Sequence, residues 1–199
     1  LADKLVKMAL QHEQTPDRYV SELTAGASPV ALRNIFATLF RCSSQPGLDC
    51  HTPIRQLLEV DFETRIEAAV WALRGLGGGY VAHLVAIDRL LATICRERGS
   101  HAVAERLGAV LEDCRETLVH LPLWIAQRRL EEVGDPAQPE FAAVLRRASL
   151  LRDLGWCWLQ LEAFDKACET HAEAARIARQ AVAKAPLASD DFAAQVCLF

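Results

Sequence analysis

The amino-acid sequence predicts an all-α fold made of stacked antiparallel helical hairpins. Apolar residues recur at three- and four-residue steps along nearly the whole chain, which is the spacing of one face of an α-helix. No segment alternates apolar and polar residues with β-branched side chains, so we predict no strands. Turn-forming residues interrupt the periodic segments often enough to define about ten helices with short connections.

The helices follow in order from these interruptions. The sequence "QTPD" at 14–17 separates a short first helix from a second one. In "GASP" at 26–29 Gly26 turns the chain, Ser28 is the N-cap of the next helix and Pro29 is its first residue. The other interruptions are "SSQPGLDCHTP" (43–53), "GGG" (77–79), "RGSH" (98–101), "GDPAQP" (134–139) and "APLASDD" (185–191), where Ser189 is a further N-cap.

The composition is typical of a globular intracellular protein, and we expect a cytoplasmic location. The chain has 199 residues, of which 51% are hydrophobic, enough to bury a core. Its net charge of −4 provides no positive field to attract nucleic acid or acidic membranes. Its seven cysteines form no CxxC pair and several lie in apolar helical patterns, so we expect reduced thiols. The apolar runs are too short to span a membrane.

The 43–53 loop is a candidate domain boundary. We predict an N-terminal helical segment over residues 1–50 and a helical-repeat region over residues 51–199, with one continuous domain as the alternative. The chain begins at Leu1 without methionine and ends abruptly at "AAQVCLF", as expected for a piece of a longer protein.

Residues 148–178 carry large and small side chains at fixed spacings. Leu154 precedes Gly155, and further members of the pattern follow that glycine by three, nine, twelve and nineteen residues: Trp158, Phe164, Ala167 and Ala174. We expect the small side chains at Gly155 and Ala167 to let the two helices of a hairpin approach closely. Ala174 would allow the same approach to the next unit, and Trp158 and Phe164 would fill the space near the turn.

This order of residues resembles the tetratricopeptide repeat. The chain departs from that pattern at Glu162, where glycine or asparagine is usual, and at His171, where a large apolar residue is usual. A generic antiparallel helical bundle is the alternative. The resemblance implies a non-catalytic scaffold or adaptor that binds a peptide or helix of a partner protein. The candidate partner-binding residues are Arg147, Arg152, Gln160 and His171, and the arginines near them suggest an acidic peptide or, more simply, a solvated helix face.

Residues 19–36 offer a different function, that of a DNA-binding helix-turn-helix. Gly26 would form the turn, and the second helix would present Arg33 and Asn34 to base edges. Glu22 occupies a position where a small apolar residue normally packs, and few positive charges flank the motif for phosphate contacts. Nucleic acid is therefore the second choice of partner.

Catalytic and metal-binding motifs are not recognisable. Cys168 and His171 share a helix face, but a metal site would need at least one more ligand at a suitable distance. "GLGGGY" at 75–80 lacks the lysine and hydroxyl residue of a phosphate-binding loop. We therefore expect no enzyme activity, no cofactor and no metal. The sequence leaves the oligomeric state open.

Overall fold

The computed structural model describes residue 24 and residues 26–44, 50–76, 81–111, 118–133 and 141–184. These ranges contain eight α-helices and no strand, so the predicted all-α fold is confirmed. The helices are α1 (Pro29–Cys42), α2 (His51–Val60), α3 (Phe62–Arg74), α4 (Val81–Arg98), α5 (His101–Leu111), α6 (His120–Val133), α7 (Phe141–Gln160) and α8 (Phe164–Lys184). Among the described helices none is long and apolar enough to cross a lipid bilayer.

The chain divides into two compact units, residues 1–121 and residues 122–199. In the first unit α3 is the central helix and packs against α1, α2, α4 and α5. In the second unit α7 and α8 pack against each other along their length. Helices therefore pack with partners next or next but one in the chain, which is compatible with a helical repeat. The predicted boundary after residue 50 stays a prediction.

The start of α1 follows the predicted capping pattern. Gly26 has a positive φ of 69°, a conformation that glycine adopts without steric cost. The Ser28 side-chain oxygen accepts a hydrogen bond of 3.3 Å from the Ala31 backbone N–H, and Pro29 is the first helical residue. The predicted N-cap is confirmed. One face of the helix then buries Leu32 and Phe36.

A single residue, Asp61, separates α2 from α3. Its carboxylate accepts a long hydrogen bond of 3.5 Å from the Thr64 backbone N–H at the start of α3. The buried Arg65 guanidinium donates a 2.8 Å hydrogen bond to the Leu57 carbonyl, one of the four at the end of α2 that have no partner within the helix. The α2–α3 break is thus satisfied from both sides, and α2 begins at His51, inside the predicted 43–53 loop.

The start of α6 is capped by a residue distant in the chain. Asp88, in the middle of α4, is only 1% exposed and accepts hydrogen bonds from three consecutive backbone N–H groups. Its Oδ2 lies 2.9 Å from the nitrogen of Val119 and 2.7 Å from that of His120, and its Oδ1 lies 2.8 Å from that of Leu121. Burial raises the pKa of Asp88, because loss of hydration outweighs the three N–H groups that stabilise the carboxylate.

Ion pairs between helices supplement this core on the surface of the first unit. Each joins side chains that remain about half exposed, so each contributes little to stability and chiefly favours one alignment of the helices. The pairs are Arg55–Glu97 (3.1 Å), Arg98–Glu59 (3.3 Å) and Arg106–Glu63 (2.8 Å).

Candidate functional site

Helices α7 and α8 form an antiparallel hairpin joined by the three residues 161–163. Glu162 lies in the left-handed region with φ of 57°, which explains why glycine or asparagine is favoured at such a turn. The Ala163 N–H donates to the Trp158 carbonyl at 2.9 Å and the Glu162 N–H donates to the Leu159 carbonyl at 3.0 Å. These bonds satisfy carbonyls at the end of α7. The predicted break between two helices in this region is confirmed.

The imidazole of His171 packs directly on Gly155. Its Cε1 and Nε2 atoms lie 2.8 Å from the position that a Cβ on Gly155 would occupy. The missing side chain at Gly155 therefore makes room for a ring from α8. His171, predicted to contact a partner, is half-buried and lies inside the hairpin; its role in partner binding stays a prediction.

Small residues form most of the remaining contact between α7 and α8. Ala148 and Leu151 of α7 cluster with three residues of α8, Ala174, Ile177 and Ala178. Ala174 thus packs within this hairpin, which differs from the predicted contact with a following unit. Ala167 is also buried, as expected for a position of close approach.

The two aromatic residues predicted to fill the space near the turn behave differently. Trp158 is half-buried, and the Lys166 ammonium lies 4.5 Å from the centre of its ring. Phe164 is 60% exposed, so its predicted role as a buried residue is wrong. Phe164 is the first residue of α8, and a helix end offers fewer neighbours to cover a large side chain.

One side of the hairpin carries a charged network that includes the predicted site residue Arg147. The Arg176 guanidinium donates two hydrogen bonds, of 2.6 and 2.7 Å, to the Glu173 carboxylate. These bonds lower the pKa of Glu173 against a smaller opposing effect of burial, and the charge of Arg147 on α7 lowers that pKa further. Arg147 therefore lies in the field of an acidic group of its own chain.

The other side of the hairpin exposes large apolar side chains. All five that are exposed in the described part of the second unit are Phe141, Trp156, Leu159, Phe164 and Val182. On α7, Phe141 and Leu159 are 18 residues apart, and on α8 Phe164 and Val182 are also 18 residues apart. Eighteen residues are about five helical turns, so the members of each pair project in the same direction.

The positions of these residues place them on one side of the hairpin. Gly155 contacts His171 and Trp158 contacts Lys166, so in this antiparallel register Leu159 lies beside Phe164. Leu159 is rotated about 100° from Trp158 around α7, and Phe164 about 160° from Lys166 around α8. Both rotations turn away from the side that holds the Trp158–Lys166 contact. We define the α7–α8 face as Phe141, Leu145, Arg152, Trp156 and Leu159 of α7 together with Phe164, Cys168, Ala175, Arg179 and Val182 of α8.

The charged residues of the α7–α8 face are Arg152 and Arg179, and none of its ten residues is acidic. The Arg152 guanidinium lies 3.3 Å from the Ser149 hydroxyl and 3.5 Å from the Asp153 carboxylate, which hold it against α7. Arg179 is exposed, and its Nε donates to the Ala175 carbonyl at 3.2 Å. The face therefore combines an apolar surface with positive charge.

Two of the predicted site residues adjoin this face, and its central residue was missed. Arg152 precedes Trp156 by four residues and the exposed Gln160 follows it by four, so both lie one turn from Trp156. Trp156 is 45% exposed and was not among the predicted contacts. The signal that could have revealed the face is the 18-residue spacing of large apolar residues on both helices, which is visible in the sequence.

The predicted DNA-contacting residues lie on α1. Asn34 is exposed, whereas the Arg33 guanidinium stacks on the Trp71 ring of α3, 4.7 Å from its centre. The Arg74 guanidinium lies 5.1 Å from the centre of the same ring. Of the first helix of the predicted motif only Thr24 is described. DNA binding by this segment stays a prediction.

The residues considered for a metal site lie on α8. Cys168 is exposed, and His171 packs against Gly155. Among the described histidine, cysteine, aspartate and glutamate residues, no group of three or more is arranged to hold a metal ion.

Comparison with known proteins does not identify a relative. No family model, no curated protein and no solved structure matches the chain. The class that the described structure defines is an all-α protein whose packed helices are compatible with a helical repeat. Any more specific function therefore has to be argued from the α7–α8 face.

Proposed function

We propose that this protein is a scaffold or adaptor that binds a helix or extended segment of a partner protein on the α7–α8 face. The observation that supports this most directly is the exposure of five large apolar side chains on one side of a closely packed hairpin. Such side chains gain free energy when a partner removes them from water, about 25 cal/mol for each Å² of apolar surface buried.

The chemistry of the face indicates what kind of segment would bind. Tryptophan and arginine are the residues that most often dominate binding energy at protein interfaces, and Trp156 lies one turn from Arg152. The arginines favour a partner with acidic side chains beside its apolar stripe. From Phe141 to Leu159 the face is roughly 27 Å long, which matches a partner helix of about five turns.

The resemblance of residues 148–178 to the tetratricopeptide repeat agrees with this proposal. Stacked helical hairpins of that kind present extended surfaces to other proteins. Arg152 and Gln160 keep their predicted role as contacts in the proposal, and Trp156 and Leu159 join them. Arg147 lies on the opposite side of the hairpin, beside Glu173, and serves below as a matched control.

Photo-crosslinking in an extract of the source cells tests the proposal. A photoreactive amino acid replaces Trp156 in one chain and Val60, an exposed apolar residue of the first unit, in another. We expect at least one protein to be crosslinked from position 156 only, and an excess of unlabelled chain to suppress that product. Identical products from both positions would contradict a specific face.

Charge reversal then tests the predicted chemistry of the partner. Arg152→Glu with Arg179→Glu should weaken the suppression by unlabelled chain about ten-fold or more, since each lost charge contact at an interface costs roughly 1 kcal/mol or more. Arg147→Glu, on the opposite side of the hairpin, should leave suppression unchanged. Equal effects of the two changes would show that general charge, not this face, controls binding.

A further inference from the structure

We propose that residues 185–199 of this chain cover the α7–α8 face when no partner is bound, and that a partner must displace them. This proposal rests on the proposed function for the identity of the face as a binding surface. The segment "APLASDDFAAQVCLF" follows α8 directly and lies outside the described residues. Its sequence and its place in the chain supply the argument.

The segment carries an apolar stripe that matches the face. Phe192, Val196 and Phe199 are spaced by four and three residues, which places them on one side of a helix. Ser189 is a suitable N-cap, and Asp190 follows it in the first turn, where negative charge is favourable. A helix of about eleven residues is marginal alone in water, so it needs an apolar surface on which to pack.

The charges of the segment and the face are complementary. Residues 185–199 contain two acidic residues, Asp190 and Asp191, and no basic residue, whereas the face contains two arginines and no acidic residue. Arg179 lies near the end of α8 at which the segment begins. Acidic residues at the start of the segment would therefore meet a positive charge close to the point where the chain turns back.

Continuity of the chain favours this occupant over a separate molecule. Residues 185–188 connect the end of α8 to the candidate helix, and Pro186 among them favours a turn over continuation of α8. Four residues can span up to about 14 Å, enough to bring residue 189 beside the face. A segment tethered this closely acts at an effective concentration in the millimolar range, so even a weak contact is populated.

Thiol labelling of the purified full chain tests the proposal without any partner. Ala175→Cys places a reporter thiol in the middle of the face on α8. Its rate of modification by a maleimide is followed by mass spectrometry of the peptide that contains it. We expect Phe192→Ser with Val196→Ser to accelerate labelling about five-fold, as for a face covered roughly four-fifths of the time. The matched control, Ala193→Ser with Ala194→Ser, alters the opposite side of the segment and should leave the rate unchanged.

Two further arms identify the occupant. Arg179→Glu should accelerate labelling, and adding Asp190→Arg and Asp191→Arg should restore the slow rate. A labelling rate that falls as protein concentration rises would assign the cover to a second copy and overturn the proposal, as would equal rates in the apolar variant and its control. Because no partner is present, failure to crosslink a partner at Trp156 would refute the proposed function and leave this result standing.

Discussion

The two units of the protein use their large apolar side chains in opposite ways. In the first unit residues such as Phe36, Phe40 and Ile54 are completely or almost completely buried. In the hairpin of the second unit the contact between helices is made largely by Gly155 and alanines, and residues as large as Trp156 and Phe164 face outward. The described part of the first unit thus resembles a conventional core, and the hairpin holds its large residues on its surface.

This difference separates stability from recognition. Burial of large side chains provides most of the free energy of folding, so residues such as Phe36 cannot be changed without loss of stability. Small residues at a helix crossing allow close approach while leaving the outer positions free to vary. We therefore expect the hairpin's exposed residues to tolerate substitution in the isolated protein and to matter when a partner binds.

The largest expected effect comes from making the same substitution in both units. Phe36→Ala should reduce the free energy of unfolding by about 4 kcal/mol, because it leaves a cavity in a fully buried site. Phe164→Ala should change it by less than about 0.5 kcal/mol, since the side chain is already mostly in water. Chemical denaturation followed by circular dichroism measures both. Similar losses in the two variants would remove the distinction between the units.

Next in size is the capping residue of the first unit. Asp88→Ala should cost roughly 3 kcal/mol, because three buried N–H groups at the start of α6 lose their acceptor. Asp88→Asn keeps one acceptor oxygen and removes a buried charge, so its loss should be limited to about 1 kcal/mol. Denaturation at pH 7 compares the two variants. If asparagine were as harmful as alanine, the charge itself would be the important feature.

The crossing of α7 and α8 predicts a coupling between Gly155 and His171. In the His171→Ala background Gly155→Ala should stabilise by about 1 kcal/mol through helix propensity. With His171 present the new Cβ would overlap the imidazole, so that gain should be lost, giving a coupling of about 1 kcal/mol. Denaturation of both single variants and the double variant measures this coupling. Additive effects would show that the ring moves aside without cost.

The smallest effect concerns the charged side of the hairpin and depends on pH. Glu173→Gln should cost roughly 0.3–0.5 kcal/mol at neutral pH, since the ion pair with Arg176 is partly exposed. The pKa of Glu173 is lower in the folded chain than in the unfolded chain. Its stabilising effect is therefore complete above the unfolded value and disappears as the pH falls through the folded value.

A pH series of melting temperatures checks the sign. The difference between wild type and Glu173→Gln should shrink on acidification. Glu169→Gln, which alters another exposed glutamate of α8, should show a smaller difference at neutral pH. A difference that grew toward acid pH would mean that the pKa is shifted the other way.

Features that depend on neighbours along the chain could be predicted from the sequence. The helical class, the Ser28 cap with Pro29, and the break between α7 and α8 all follow from residues within a few positions of each other. Part of the α7–α8 face was predictable in the same way, since Arg152 and Gln160 were identified. Trp156 was missed because an exposed tryptophan and a buried one look alike in an apolar helical pattern.

What the sequence determined by itself is the set of helices and the residues that start and end them, because hydrogen bonding and apolar spacing in a helix are local. Only the tertiary structure decided that Asp88 caps a helix 31 residues further on, that His171 fills the space left by Gly155, and that Phe164 is exposed. These outcomes depend on which helices meet and at what rotation. No periodicity within a single helix encodes that choice, because it is settled by the joint packing of side chains from distant parts of the chain.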